Sequence, residues 1–427
     1  MGGRVRSARY EGYTINTGPH LVEDSGSGIM RMYEYLGKKL EEGPKNDAMP
    51  VYLDGKWKHV GEISKRTKKD KESLVAIIQE LIATDFSEFD KYDHLPLRTW
   101  LKERNATEGV IALFEFEAML EQLTDEWWDH SASENLYVRK MHYEEKRMAG
   151  YSYWPEGGYD QMLDQLRDAI VENKGEIRME TEVSQVKIEN HEVQGVYAHP
   201  TGWDVYSEYR YGQLLEAPIV ISTLPVWSVL NIVDRKALPG WYVDQIYHIG
   251  QEDNKACWIG IHAASDEPIV AKSERELTAW FKTPRTGLPG FSFSNSCLDP
   301  SVAPEGKHLF TSGFACKASQ IRNRTWLRQM FKNVEADLED MFEPFKRTIW
   351  RKPYTVIDPA FGIFGQPGLC GRYRPDFIAP NIEGLYFVSD TFRGRGIGID
   401  KVARTALSCV DRITGTKIPF LKDTWRY

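Results

Sequence analysis

Gly384-Leu385-Tyr386-Phe387-Val388-Ser389-Asp390, continuing through Thr391-Phe392-Arg393-Gly394-Arg395-Gly396-Ile397-Gly398-Ile399-Asp400, is the stretch on which the fold turns. It starts as an apolar run of strand character and becomes a glycine-rich loop. Val402, Ala403, Ala406, Leu407, Val410 and Ile413 then recur at helical spacing. A buried strand feeding such a loop and then a helix aims unpaired backbone N–H groups and a positive dipole end at its ligand. An anionic or electron-rich ligand suits that place, and Gly396 and Gly398 permit close approach because no Cβ intervenes. A C-terminal core helix with a loop glycine cap has the same pattern, so the segment alone leaves both readings open.

Weaker motifs lie upstream. The chain opens Met1-Gly2-Gly3-Arg4, and Gly18-Pro19-His20 follows. Residues 9–16 have strand character, and a helix from Gly28 would turn Met32, Tyr35 and Leu36 inward. Trp154-Pro155-Glu156-Gly157-Gly158 opens a helix whose Met162, Leu163, Leu166, Ala169 and Ile170 share a face. Gly175 stands where a left-handed C-terminal residue belongs. Strands are expected at 176–179, 183–189 and 192–198, the last two around Asn190-His191. Residues 218–225 read as a short buried strand ending at Pro225.

Between these pieces, Asp54-Gly55 separates Val51-Tyr52-Leu53 from Lys56-Trp57-Lys58-His59-Val60, a good hairpin signal. Residues 73–136 are helical in pattern, carried by Leu74, Ile77, Ile78, Leu81 and Ile82 and later by Val110, Leu113 and Phe114. Further strands are expected at 255–263, 291–297 and 309–315. An amphipathic helix carries Leu327, Met330, Phe331, Val334, Leu338 and Met341.

The 427 residues allow two domains, or one large domain with an insertion. A net charge of -8 with no basic stripe argues against a nucleic-acid partner. The one basic run, residues 65–71, reads as a solvated loop or helix start. Five cysteines at wide spacing point to neither a disulfide framework nor a zinc site, so no metal is expected. A reducing cytoplasm fits, with peripheral membrane attachment as the second option, and no apolar run reaches the roughly 20 residues that span a bilayer. The 13 Trp and 21 Tyr suit either an aromatic-walled pocket or plain core packing.

Taken in order, the Gly2-Gly3-Arg4 start, Gly18-Pro19-His20, the 154–158 block, the 175–198 unit, Ile221-Ser222-Thr223-Leu224-Pro225 and the C-terminal stretch resemble the phytoene desaturase-like branch of the FAD-dependent amine oxidase superfamily. The resemblance implies an α/β fold: an FAD-binding Rossmann-like domain with an inserted mixed-sheet plus helical substrate domain. FAD-binding parts would be 1–38, 151–225 and 379–427, a helical substrate or lid region 39–150, and a substrate domain 226–378.

By the same resemblance Gly2, Gly3 and Arg4 would lie along the FAD pyrophosphate and ribitol, with Arg4 as a phosphate partner. Gly18, Pro19 and His20 would sit beside the isoalloxazine ring, and Val183 would meet the adenine. Thr223 would belong to the cofactor site. Asp390 would hold the ribitol or pyrophosphate region, and Arg395 a phosphate or an acidic substrate group. Gly396, Gly398 and Ile399 would complete the loop, the last two offering N–H groups to the ring. Lys255 is placed like the lysine that holds a water at flavin N5, although a surface lysine at a strand start is the plainer reading. His20 is the second catalytic candidate, and Cys370 a remote one for covalent attachment.

The sequence departs from the family pattern in one respect: no GxGxxG opens a βαβ unit. The expectation is that the chain is internal to a longer protein or that a partner chain supplies this unit. The expected activity is desaturase- or dehydrogenase-type hydride transfer between a fairly apolar small molecule and flavin N5. The rivals are a reduced-flavin double-bond isomerase and a non-catalytic subunit.

Overall fold

A computed structural model describes residues 2–20, 22–23, 27–40, 42–45, 50–59, 67–122, 129–144, 152–155, 157–202, 212–270, 277–358, 360–396 and 398–418. The fold is mixed α/β, as expected, with an 8-stranded mixed sheet beside a helical region.

The spine of that sheet is Lys255–Ser265, buried at every position after Lys255. A strand covered on both faces has no place for a polar side, which is why Ala-Cys-Trp-Ile-Gly-Ile reads as one apolar run. It pairs antiparallel with His308–Lys317 and Trp350–Val356, and Gly362–Ile363 pairs with its first two residues. Beyond His308–Lys317 come Gly290–Phe293, Leu277–Trp280 and the hairpin Pro50–Leu53 with Lys56–His59. Leu277–Trp280 and Pro50–Leu53 run parallel. The expected Asp54-Gly55 turn is present, with φ of 54° and 76° as its tight geometry requires. Helix Arg324–Met341 packs Val334, Leu338 and Met341 against Ile259, Ile261 and Phe310.

Four helices, Lys68–Ala83, Leu97–Glu103, Glu108–Gln122 and Ala132–Glu144, share a core of Ile77, Leu81, Trp100, Phe114 and Leu136. Thr67 and Asp70 form a capping box, so the basic run does begin a helix, although Lys65 and Arg66 lie outside the described residues. Elsewhere Val220–Ser222 pairs parallel with Leu385–Phe387. The latter strand leads into the C-terminal helix Gly398–Thr414, which packs on Gly28–Tyr35. Strands Thr181–Glu189, Glu192–Pro200 and Gln213–Glu216 form a meander.

Several local expectations are corrected. Residues 9–16 are not one strand: Ser7–Tyr10 and Tyr13–Asn16 form a hairpin turning at Glu11 and Gly12, both at positive φ. Helix Gly28–Tyr35 buries Ile29 and Tyr33, because its inner face is set by the C-terminal helix, and Tyr35 is exposed. The left-handed residue after Tyr159–Glu172 is Lys174 at φ 62°, one position before Gly175. Residues 176–179 form no strand and leave Met179 exposed. The 291–297 strand stops at Phe293, and Asn295–Leu298 is helical. Ile219 and Ile221 are 41% and 44% exposed rather than buried: alternate residues of a strand share one face, and that face is left open, while among the described residues Val220–Ser222 also pairs on one side only.

Candidate functional site

The strand Leu385–Phe387 delivers Asp390 to a fixed place. Ser389 Oγ and Thr391 Oγ1 share a hydrogen bond of 2.7 Å, and Thr391 Oγ1 accepts from the Val226 N–H at 2.8 Å. Between those anchors the Asp390 carboxylate pairs with the Arg4 guanidinium, whose Nη1 also donates to the Phe361 carbonyl at 2.7 Å. Burial works against charge on Asp390, yet Arg4, Lys401 and Arg374 hold its carboxyl below the usual value. Gly18 lies against the Arg4 carbonyl so closely that a Cβ would collide with it. Both ends of the quoted pattern, Arg4 with Gly18 and Asp390 with its loop, therefore meet.

From Phe361 an aromatic wall runs across the large sheet to His20. Phe361 meets Trp258 at 6.5 Å between ring centroids, Trp258 meets Phe291 at 4.8 Å, Phe291 meets Phe293 at 5.4 Å, and Phe293 stacks on His20 at 4.6 Å. The backbone makes room for it. Phe291, Gly313, Gly260 and Tyr354 stand opposite one another on four strands, and a Cβ on Gly313 would sit inside the Trp258 indole. Trp258 Nε1 instead donates to the Tyr354 hydroxyl at 3.0 Å. His262 stacks on Tyr354 at 4.0 Å and shares a 3.0 Å hydrogen bond with Thr311. Burial pushes both His20 and His262 down to about 3, so both imidazoles are neutral at ordinary pH. The wall is apolar and uncharged, and what it can do for a reaction is to position an apolar molecule.

Behind the glycine loop lies a buried ion cluster. Arg395 donates to Glu134 at 3.0 Å, to Ser133 at 3.0 Å, to Asp90 at 2.7 Å and to Asp93. Burial opposes its charge, but Glu134 and Asp93 raise its pKa well above the usual value. The guanidinium is thus turned toward the helical region, which corrects the expectation of a phosphate- or substrate-binding Arg395. Arg393 pairs with Asp376 at 3.1 Å.

Lys255 and His20 do not share one site. Lys255 donates to Glu252 at 2.5 Å and lies 5.1 Å over the Trp227 ring. His262, which His20 influences, is seven positions along the same strand, about 23 Å at ~3.3 Å per residue. Val183 lines an open hollow of about 720 Å³ with Glu176, Arg178, Thr181, Leu214 and Glu216. Thr223 is exposed beyond the Val220–Ser222 strand, and Pro19 is half-buried. Cys370 is buried between Ser133 and the Asp93 carbonyl, and burial raises its thiol pKa, which suits an inert thiol. The side chain of Trp154 lies outside the described residues.

The residues present fit a bulky dinucleotide with a flat ring. Gly3 and Gly398 face open space where a Cβ would stand, Gly2 is exposed at φ 94°, and Ile399 is half-buried at the helix start. Gly396, at φ 115°, brings the loop backbone past Lys401. Sequence reasoning missed the wall residues Trp258, Phe291, Phe293, Tyr354 and Phe361. The alternation Phe291-x-Phe293 carried a signal, whereas their meeting across strands was set by register.

Residues 1–414 match the family described as flavin containing amine oxidoreductase. No curated protein matches at a significant level. Among solved structures, an oxidoreductase from Methanosarcina mazei superposes with TM-score 0.71 at 20% identity, covering 96% of this chain and 92% of that one. Putrescine oxidase bound to putrescine gives TM-score 0.65 at 14% identity, covering 97% and 91%. Cyclohexylamine oxidase from Brevibacterium oxydans gives 0.60 at 13%, covering 97% and 92%. With residues 1–414 of the 427 inside the match, the chain belongs to the family of flavin-containing amine oxidoreductases and is an FAD-dependent oxidoreductase.

Proposed function

We propose that this oxidoreductase belongs to the phytoene desaturase-like branch and moves hydride between a fairly apolar small molecule and the flavin. The observation that carries the reading is the wall Phe361–Trp258–Phe291–Phe293–His20, which starts beside the Arg4–Asp390 pair. Bound FAD supplies a hydride acceptor at N5. The chain's own residues bind and orient. Gly2, Gly3, Arg4 and Asp390 would hold the pyrophosphate and ribitol, while Gly18, Pro19 and His20 would lie beside the ring. Gly396, Gly398 and Ile399 would offer backbone to it, Thr223 would stand at the rim, and the hollow that Val183 lines would take the adenine. With neutral imidazoles at the wall, positioning dominates over acid–base help. Lys255, paired with Glu252, has at most a supporting role.

A second reading has its own observation. The exposed Ile219 and Ile221 beside a one-sided parallel strand favour completion of the FAD site by a further βαβ unit, from a longer chain or a partner. Among the described residues no helix is long and apolar enough to cross a membrane.

The test is the visible spectrum of the purified chain before and after FAD, followed by product mass on a panel of polyenes and amines. Retained flavin bands and a loss of two hydrogens from a polyene support the reading. Turnover of polar amines alone, or products of unchanged mass, would overturn the desaturase assignment.

A further inference from the structure

The C-terminal helix buries three charged residues near its start: Asp400 and Arg404 pair with each other, and Lys401 stands apart from that pair. Lys401 stands in the first turn of Gly398–Thr414 at 4% exposure, with its stem against the backbone of Gly394. Among the described residues no carboxylate comes within the 4.0 Å of an ion pair with its ammonium, and that ammonium makes no hydrogen bond. The charges facing it are Arg374, Glu134, Asp390 and Arg395. Each anion in that set is already engaged, Asp390 with Arg4 and Glu134 with Arg395. Arg374 is no help, because it donates to the carbonyls of Leu369 and Asp390, both at 2.7 Å, and brings a second cation.

Charge balance then points one way. Arg4, Arg374, Arg395 and Lys401 face the partly buried Asp390 and the buried carboxylates Asp93 and Glu134, and Asp90 joins only at the rim, where its side chain is 63% exposed. A largely buried cation without a counter-ion among the described residues is costly, and the adjoining helix N-terminus adds positive potential. Burial first, and Arg374 second, push the Lys401 ammonium down to about 7 against the opposing pull of Glu134 and Asp390. An incoming anion would relieve all of these terms together.

We propose that Lys401 is a binding residue for the anionic part of the cofactor, its ammonium taking a phosphate oxygen or the negative edge of the reduced ring. The inference rests on FAD as the cofactor and is independent of the substrate proposed above. As pH rises through 7 to 9 the lysine of the free protein loses its proton, so affinity for the anion falls; without Lys401 that window is flat.

The experiment uses protein carrying ¹³Cε-enriched lysine, with the Lys401 signal assigned by its absence from K401M and K401R. ADP, riboflavin and FAD are titrated separately, and binding to K401M is measured by fluorescence quenching or calorimetry. The expected result is that the midpoint of the Lys401 titration rises by about one pH unit or more when the anion binds. K401M should weaken that ligand about ten- to a hundredfold, the worth of a hydrogen bond to a charged group. ADP acting like FAD while riboflavin has no effect assigns the phosphate. An effect confined to FAD, with a lowered flavin reduction potential in K401M, assigns the ring. FAD binding that leaves both the Lys401 signal and K401M affinity unchanged overturns the inference while the flavoprotein assignment stands. A Lys401 response to ADP without any uptake of FAD keeps the phosphate site and overturns flavin as its ligand. No response to any of the three removes both.

Discussion

Two of the five sheets among the described residues stand in very different states of completion. In the 8-stranded sheet the spine Lys255–Ser265 has a partner on each side and no exposed apolar side chain. The parallel pair Val220–Ser222 with Leu385–Phe387 has two strands and leaves Ile219 and Ile221 facing out. Parallel strands normally lie in larger sheets with both faces covered, and two strands alone are marginal. Yet it is the small pair that leads to Asp390, which meets Arg4, and on to the helix start Gly398, the places proposed above for the cofactor. The large sheet, proposed above as the substrate side, is thus a finished scaffold. The small pair, on the proposed cofactor side, is held by charges and by the C-terminal helix.

The largest effect expected from this contrast comes from Arg395, the cation that joins the cofactor loop to the helical region. Arg395→Met strands Asp93 and Glu134 as unpaired buried carboxylates, which costs about 3–5 kcal/mol. Urea unfolding of the variant should show a correspondingly lower midpoint, with Asp90 of little help from its exposed position. A loss below about 1 kcal/mol would mean that apolar packing, not the ion cluster, holds the cofactor side, since surface-like changes stay within about 0.5 kcal/mol.

A smaller loss is expected inside the finished sheet. Gly313→Ala puts a methyl into the Trp258 ring, on a strand with no freedom to move, and overpacking of this kind costs about 1–3 kcal/mol. Trp258 also loses its place beside Tyr354, so the wall shifts. Stability should fall modestly while substrate KM rises by more than FAD affinity changes. Equal damage to FAD binding and substrate KM would show that the two sides are not separable as drawn.

What was legible in the sequence follows the same division. The spine strand, the Asp54-Gly55 hairpin and the helix Arg324–Met341 were readable because periodicity and turn chemistry are local. The meeting of Arg4 with Asp390 is 386 positions apart, and only an ordered set of weak motifs pointed to it. The aromatic wall was not readable, since register across four strands puts Phe291, Gly313, Gly260 and Tyr354 in one row. Arg395 was misassigned for a related reason: a loop arginine beside glycines resembles a phosphate ligand until its carboxylates, 261 to 305 positions away, are seen. Lys401 carried no signal in the sequence. Its stem lies against Gly394 and its charge faces Arg374, which no spacing rule connects to it.

The smallest expected change in stability belongs to Ile221→Lys, and it tests the unfinished sheet directly. If Ile221 faces water, an exposed strand tolerates lysine, and the unfolding midpoint should move by no more than about 0.5 kcal/mol. Function should be less tolerant. A lysine on the open side of Val220–Ser222 opposes the docking of any further strand there, because a charged edge is a poor template for pairing. The variant should therefore fold normally but retain less FAD after desalting, with a stoichiometry below that of the parent chain measured alongside. Two results would break the contrast between the sheets. A midpoint lowered by more than about 1.5 kcal/mol would put Ile221 in a buried site, in the range for fully buried aliphatic side chains. Unchanged FAD retention would instead show that the parallel pair carries the cofactor without any addition at its edge, leaving the charges at Arg4, Asp390 and Lys401 as the holding force.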